Sequence, residues 1–225
     1  MLFSAQAEEA GSSKSIAAQR SEVRTRLERM SGIRSSTPKI QPGKAADYWQ
    51  ALQEYEAASD PKMIWALVER HIRLAEALLE QDDEAVRRSG VGILLLVVDC
   101  VDRRLNEPQF AARICAAWLL PNTKWASETG TQFVSQDAVY KQAMAVYVRA
   151  GDPVVLAKVA NDAITSTHNL NVADHARFRL AQSLAQQRKT VDAIKVLQEI
   201  SDPSFRGVSK MIDQLRQQPV KQRVR

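Results

Sequence analysis

Histidine and cysteine are scarce in this chain, with three His and two Cys in 225 residues. Two cysteines build neither a disulfide framework nor a tetrahedral cysteine metal site. Eight glycines and eight prolines are few for a many-stranded β protein, which needs turn residues at short intervals. Long hydrophobic runs are missing too. The longest, Val91 to Val98 with Gly92 inside it, falls far short of the roughly 20 residues of a spanning helix, so no membrane span is expected. A Gly-rich phosphate loop, a nucleophile elbow and a Cys-His-Asp set are equally lacking, and no cofactor is expected. What remains is 45% hydrophobic and 25% charged, enough apolar content to exclude a disordered chain.

The net charge of +5 is unevenly placed. Residues 1–44 carry eight cations against four anions, and residues 203–225 carry six against Asp213. The body between them is mildly acidic. Two basic ends on an acidic body have a plain reading as solvated termini and a second one as phosphate contacts, because cations condense on nucleic acid without base specificity. For that second reading the contact residues are Arg24, Arg26, Lys210, Arg216, Lys221 and Arg223. Near the start, Ala5-Gln6-Ala7 has the small-x-small form that signal peptidase cuts, but no cationic n-region and apolar h-region precede it. As written the chain reads as cytoplasmic. A start codon placed too late would instead make it exported.

The hydrophobic spacing is helical almost throughout. Ile16, Val23, Leu27 and Met30 form one narrow stripe on a charged helix over 15–30, free for a partner or for docking on the body. Ser, Gly, Thr and Pro then collect over 31–44 as a linker. Ala45–Ala58 places Tyr48, Trp49, Leu52 and Tyr55 together, and Ser59-Asp60-Pro61 opens the next helix with an N-cap and a first-turn proline. That helix, to about Glu80, turns Ile64, Leu67, Val68, Ile72, Leu74, Ala75 and Leu78 to one face. Asp82-Asp83-Glu84 starts a third, running to Leu105 through the 91–98 run. Taken alone, that run also suits a buried strand, but no second run exists to pair with it. It is read as a central helix covered on all sides, with Gly90 and Gly92 permitting close approach. Asn106-Glu107-Pro108 opens a fourth helix through Leu120, and Pro121 to Gln132 reads as a long irregular loop.

The last third repeats itself. Tyr140, Ala143, Tyr147, Gly151, Leu156, Ala160 and Ala163 overlie Arg177, Leu180, Leu184, Arg188, Ala193, Leu197 and Ile200 at a constant offset of 37. Each copy is two amphipathic helices joined by a tight turn, and such a hairpin buries its apolar face only by stacking on another. Ala143, Tyr147 and Gly151, then Ala181, Leu184, Ala193 and Leu197, resemble the tetratricopeptide repeat (TPR), over roughly 138–202. The spacing is 37 where that family has about 34, and Arg188 stands where the second turn would have Gly. A helix from Pro203 to about Gln217 resembles a solenoid cap. The resemblance implies an all-α fold of antiparallel helical hairpins stacked as a short TPR-like α-solenoid. Its domain plan is a basic helical arm at 1–30, a linker at 31–44, the repeat domain at 45–217 and a basic tail at 218–225. The layout of basic arm, helical body, mid-loop and basic end, with Gly207-Val208 opening the last helix, is also similar to the small terminase (DNA-packaging) subunit of some tailed phages.

For chemistry the residues offer little. His71, His168 and His175 each lack a second ligand at metal spacing, and packing or surface roles suit them. Cys100 and Cys115 sit on consecutive helices, as buried small hydrophobes or, in an exported chain, as a disulfide pair. Asp99 and Asp102, beside Arg103 and Arg104, read as an ion-paired helix end. Among the aromatics, Trp125 in the polar loop is the candidate partner anchor, or a pin for that loop, and Trp118, Tyr140 and Tyr147 are grouped with it as partner-binding. The expected function is a non-enzymatic protein–protein interaction scaffold that holds a peptide or helix of a partner. The rival is a nucleic-acid-associated assembly protein with its basic termini on phosphate.

Overall fold

The computed structural model describes residues 2–32, 46–126, 134–202 and 204–217. Residues 33–44 of the expected linker and the tail at 218–225 lie outside them. All regular secondary structure among the described residues is helical. The chain divides inside one helix into two compact units, Met1–Val146 and Tyr147–Arg225.

In the first unit, α1 (Leu2–Ser31) continues further toward the N-terminus than the 15–30 spacing predicts. It is followed by α2 (Ala46–Ala57), α3 (Pro61–Leu79) and α4 (Glu84–Asp99). Asp60 caps α3 by accepting from the Lys62 N–H at 3.3 Å, with Pro61 in the first turn. Asp83 caps α4 through the Ala85 and Val86 N–H groups at 2.7 and 3.2 Å. The two helices pack along their length, burying Ile64, Val68, Ile72, Ala75 and Leu78 against Val91, Ile93, Leu94 and Val97. Gly90 makes this approach close. A Cβ there would lie 3.0 Å from the Ala75 carbonyl oxygen and 3.1 Å from Leu79 Cγ. The 91–98 run is thus helical and covered by neighbours, because a helix satisfies its own backbone where a lone strand leaves it bare.

Two wide turns follow. After α4 the chain runs through Cys100–Arg104, where the Leu105 N–H reaches back five residues to the Cys100 carbonyl at 3.1 Å. After α5 (Pro108–Ile114) the same happens over Cys115–Leu119, closed by the Leu120 N–H on the Cys115 carbonyl. Each wide turn inserts one residue into the helical register. The chain then tightens into a 3-10 turn over Leu120–Trp125, so the first half of the expected loop is ordered helix end. Asn122 and Thr123 side chains donate to the Trp118 and Leu120 carbonyls at 2.7 and 2.9 Å, which satisfies the helix end. Residues 127–133 lie outside the described set.

α6 (Gln136–Ala150) carries the boundary between the units. The second unit continues with α7 (Pro153–Ser166), α8 (Leu170–Gln186), α9 (Thr190–Gln198) and α10 (Val208–Gln217). α8 packs against α7 on one side and α9 on the other, and α10 covers α9. Ala181, Ala193, Leu197 and Leu215 form the buried centre there, with Phe178, Leu184, Met211 and Ile212 around it. The repeat is visible in the backbone. Gly151 and Arg188, 37 residues apart, both adopt left-handed φ, at +71° and +62°. At each turn one N–H reaches five residues back (Asp152 to Tyr147, Lys189 to Leu184) and one reaches three (Gly151 to Val148, Arg188 to Ala185). This is the paired bonding of a Schellman helix end, made once with glycine and once without it.

Candidate functional site

The second half of α1 is bound to the body through one carboxylate. Val23 and Leu27 bury the narrow stripe read from the sequence, so docking is the role it takes. Glu76 on α3 receives the Arg24 guanidinium at 2.6 and 2.7 Å and the Trp118 indole N–H at 2.8 Å. Arg20 donates to the Ala117 carbonyl at 2.9 Å and lies 5.6 Å over the Trp118 ring. Arg26 pairs with Glu107 at 3.2 Å and lies 4.7 Å over Phe110. Arg113 reaches back to Glu22 at 2.5 Å. Charges that read as a solvated face in the sequence therefore fasten this helix.

A second polar cluster lies under α2. The His71 imidazole, 2% exposed at its side chain, makes a 3.0 Å hydrogen bond from Nε2 to Glu54, and Glu54 is also ion-paired to Arg70. The ring meets Tyr55 edge-on at 4.9 Å. Burial, and then the Arg70 guanidinium, lower the His71 pKa to about 4, so the ring is neutral at pH 7. Its Nδ1 and the Tyr55 hydroxyl are buried without a hydrogen-bond partner among the described residues. Burial pushes the Tyr55 phenol well above its ordinary value, with the nearby Cys100 adding to the rise and Arg104 opposing it. Arg104 donates to the Tyr55 carbonyl and to the Ala58 carbonyl, the latter at 2.5 Å, and so closes the end of α2.

Neither cysteine is equipped as a nucleophile. Both are buried free thiols. Burial raises the Cys100 pKa to about 11 and raises that of Cys115 further, with the Asp102 charge as a second cause. Asp99 and Arg103 form the expected exposed pair at 3.0 Å. Asp102 does not belong to that surface and is buried, because the wide turn rotates it inward. Among the described residues no three His, Cys, Asp or Glu side chains converge as a metal cage, and no helix is long and apolar enough to cross a membrane.

The residues singled out for partner binding take different places. Trp118 is fully buried, and Tyr140 and Tyr147 are buried in the packing. None of the three offers surface to a partner. Trp125 is half-buried between two cations, with the Arg87 guanidinium 4.3 Å and the Lys124 ammonium 4.9 Å from its ring centre. Of the phosphate-contact set, Arg24 and Arg26 are engaged within the chain as above, while Lys210 and Arg216 lie exposed on α10. Lys221 and Arg223 lie outside the described residues. His168 is exposed between α7 and α8, and His175 lies half-buried beside Phe205, their ring centres 6.2 Å apart.

In the second unit, Asp174 was invisible to sequence reasoning. It is buried on α8, pairs with Arg177 at 2.8 Å and accepts the Ser201 and Asp202 N–H groups at 3.0 Å. A buried carboxylate paired in this way fixes the chain leaving α9. Elsewhere in this unit Val154, Leu170 and Val191 are about two-thirds exposed. No protein-family model, no curated protein and no solved structure matches this chain.

Proposed function

We propose that this chain is a non-enzymatic protein–protein interaction module whose C-terminal part is built from TPR-like hairpins stacked as a short α-solenoid. The observation that carries the reading is the pair of matching helix ends at Gly151 and Arg188, with the same two backbone bonds at each. A turn repeated down to its hydrogen bonds, with Leu156 and Ala193, then Ala160 and Leu197, at matched core positions, is how a solenoid sets a constant step between units. Such steps create extended surfaces that hold a peptide or helix. The polar groups elsewhere serve packing: His71, Asp102 and Asp174 are buried, and both thiols are protonated at neutral pH.

The test is cross-linking of the tagged full chain in its native cell, followed by mapping of the linked residues. A stoichiometric protein partner linked to residues 138–202 supports the reading. The rival, an assembly protein on nucleic acid such as a DNA-packaging subunit, keeps the exposed Lys210 and Arg216. It has less to draw on at Arg24 and Arg26, already paired to Glu76 and Glu107. Retention on DNA at low salt that is lost on neutralising Lys210, Arg216, Lys221 and Arg223, with no protein linked, would replace the proposal with this rival.

A further inference from the structure

From Ile16 to the end of α1 only Val23 and Leu27 are buried. What joins the helix to the body beyond these two is mainly charge. Arg20, Arg24 and Arg26 reach the Ala117 carbonyl, Glu76 and Glu107, and Glu22 receives Arg113. The side chains of Arg24, Glu22 and Arg113 are half exposed or more, so water and salt screen their pairs. Two apolar side chains and screened pairs hold α1 more weakly than the long buried seam holds α3 to α4. α1 therefore leaves its seat at a lower cost than the rest of the unit unfolds.

The seat reads both signs of charge. Its Glu76 and Glu107 meet Arg24 and Arg26, while its Arg113 meets Glu22. The rings of Trp118 and Phe110 lie under Arg20 and Arg26 at 5.6 and 4.7 Å. A helix with cations alone would leave Arg113 facing like charge or nothing. The sequence that complements every group is α1 itself, and each copy of the chain carries one. The principal packing partners of α1 are α3, α5 and the second wide turn, all of them beyond α2 in the chain. Residues 32–45 join α1 to α2. Fully extended, such a stretch spans about 50 Å, more than the roughly 30 Å across a small domain. A helix tethered in this way makes the same contacts whichever copy carries its seat, which is the condition for exchanging identical elements.

We propose that α1 is an exchangeable strap: it seats on a second copy of this chain, and two copies that trade their α1 helices form a reciprocal dimer. The partner is the chain itself, and each seat is completed by the other copy's α1. This stands apart from the interaction-module reading, which concerns residues 138–202.

Two full-length variants, E22R/R26E and E107R/R113E, test it by sedimentation velocity. In either variant alone both altered pairs set like charges together, on its own seat or on that of an identical copy. In a one-to-one mixture each α1 meets opposite charges on the other variant's seat. Each variant alone should sediment as a monomer, and the mixture should shift to the dimer. Wild type should shift toward dimer as its concentration rises and back toward monomer with added salt. The chain with all four substitutions should regain the wild-type pattern. Circular dichroism checks the folds, and a second measurement does not depend on charge. E22C/R113C, treated with a short bismaleimide at the concentration where wild type is dimeric, should run as a covalent dimer on a denaturing gel, because the native cysteines are buried. A wild type or a mixture that stays monomeric, a variant that dimerises alone, or bridges confined within single chains would overturn the proposal.

Discussion

The Trp118 indole N–H donates to Glu76 Oε1 at 2.8 Å, and the same carboxylate holds Arg24 through both of its oxygens. A fully buried indole and α1 thus share one anchor. Glu76→Ala strands the buried indole donor and frees the half-exposed Arg24 to water, which costs about 1–3 kcal/mol. Glu76→Gln keeps an acceptor for the indole but loses the ion pair, and is milder by about half. Urea unfolding checks the energies, and limited proteolysis of α1 checks that the anchor is what holds it.

Gly90 lies where α3 and α4 are closest, and the nearest atom to an added Cβ is a backbone oxygen. Gly90→Ala gains about 1 kcal/mol of helix propensity. The contact with the Ala75 carbonyl forces the helices apart at an overpacking cost of about 1–3 kcal/mol. A net loss is expected, read as a lower urea midpoint at unchanged slope.

Arg188 holds a left-handed φ that a side chain disfavours by about 1–2 kcal/mol. Arg188→Gly removes that strain and raises the flexibility of the unfolded chain, leaving a net gain of up to about 1 kcal/mol. At Gly151 nothing lies within 4 Å of an added Cβ, so Gly151→Ala pays the conformational penalty alone. The two substitutions should move the melting temperature in opposite directions.

His71 is neutral when folded, with its pKa lowered to about 4 by burial and by Arg70, against about 6.5 in an unfolded chain. Between those values the unfolded chain takes up a proton that the folded one refuses. Stability therefore falls as pH drops from about 6.5 to 4, by at most about 3 kcal/mol. His71→Gln should flatten that part of the profile, as measured by urea midpoints at pH 7 and 4.5.

Asp174 holds Arg177 and two backbone N–H groups at once. Asp174→Ala leaves the half-buried Arg177 unpaired and frees the chain after α9, at a cost of about 3 kcal/mol or more. Amide exchange at Ser201 and Asp202 should quicken before global unfolding does.

Local chemistry was readable in the sequence wherever one helix end or one face decided it. The cap at Asp60, the acidic start of α4 at Asp83 and the apolar face of α3 all depend on residues within a few positions of each other. The Glu76 anchor was not readable, because its partners lie 52 and 42 residues away on other helices. Asp102 was misplaced at the surface because periodicity assumes a constant turn, and one added residue swings the following side chains by about 100°. Aromatic spacing at Trp118, Tyr140 and Tyr147 is the same for a buried face as for a contact face, and only packing separated the two.

Arg104 closes α2 from a distance: the carbonyls at Tyr55 and Ala58 are satisfied by a side chain 49 and 46 residues downstream. The end of α2 therefore depends on α4 and the wide turn beyond it for its last two acceptors. A fragment cut between α3 and α4 should leave those carbonyls to water and α2 frayed at its last turn, whatever its own helix propensity.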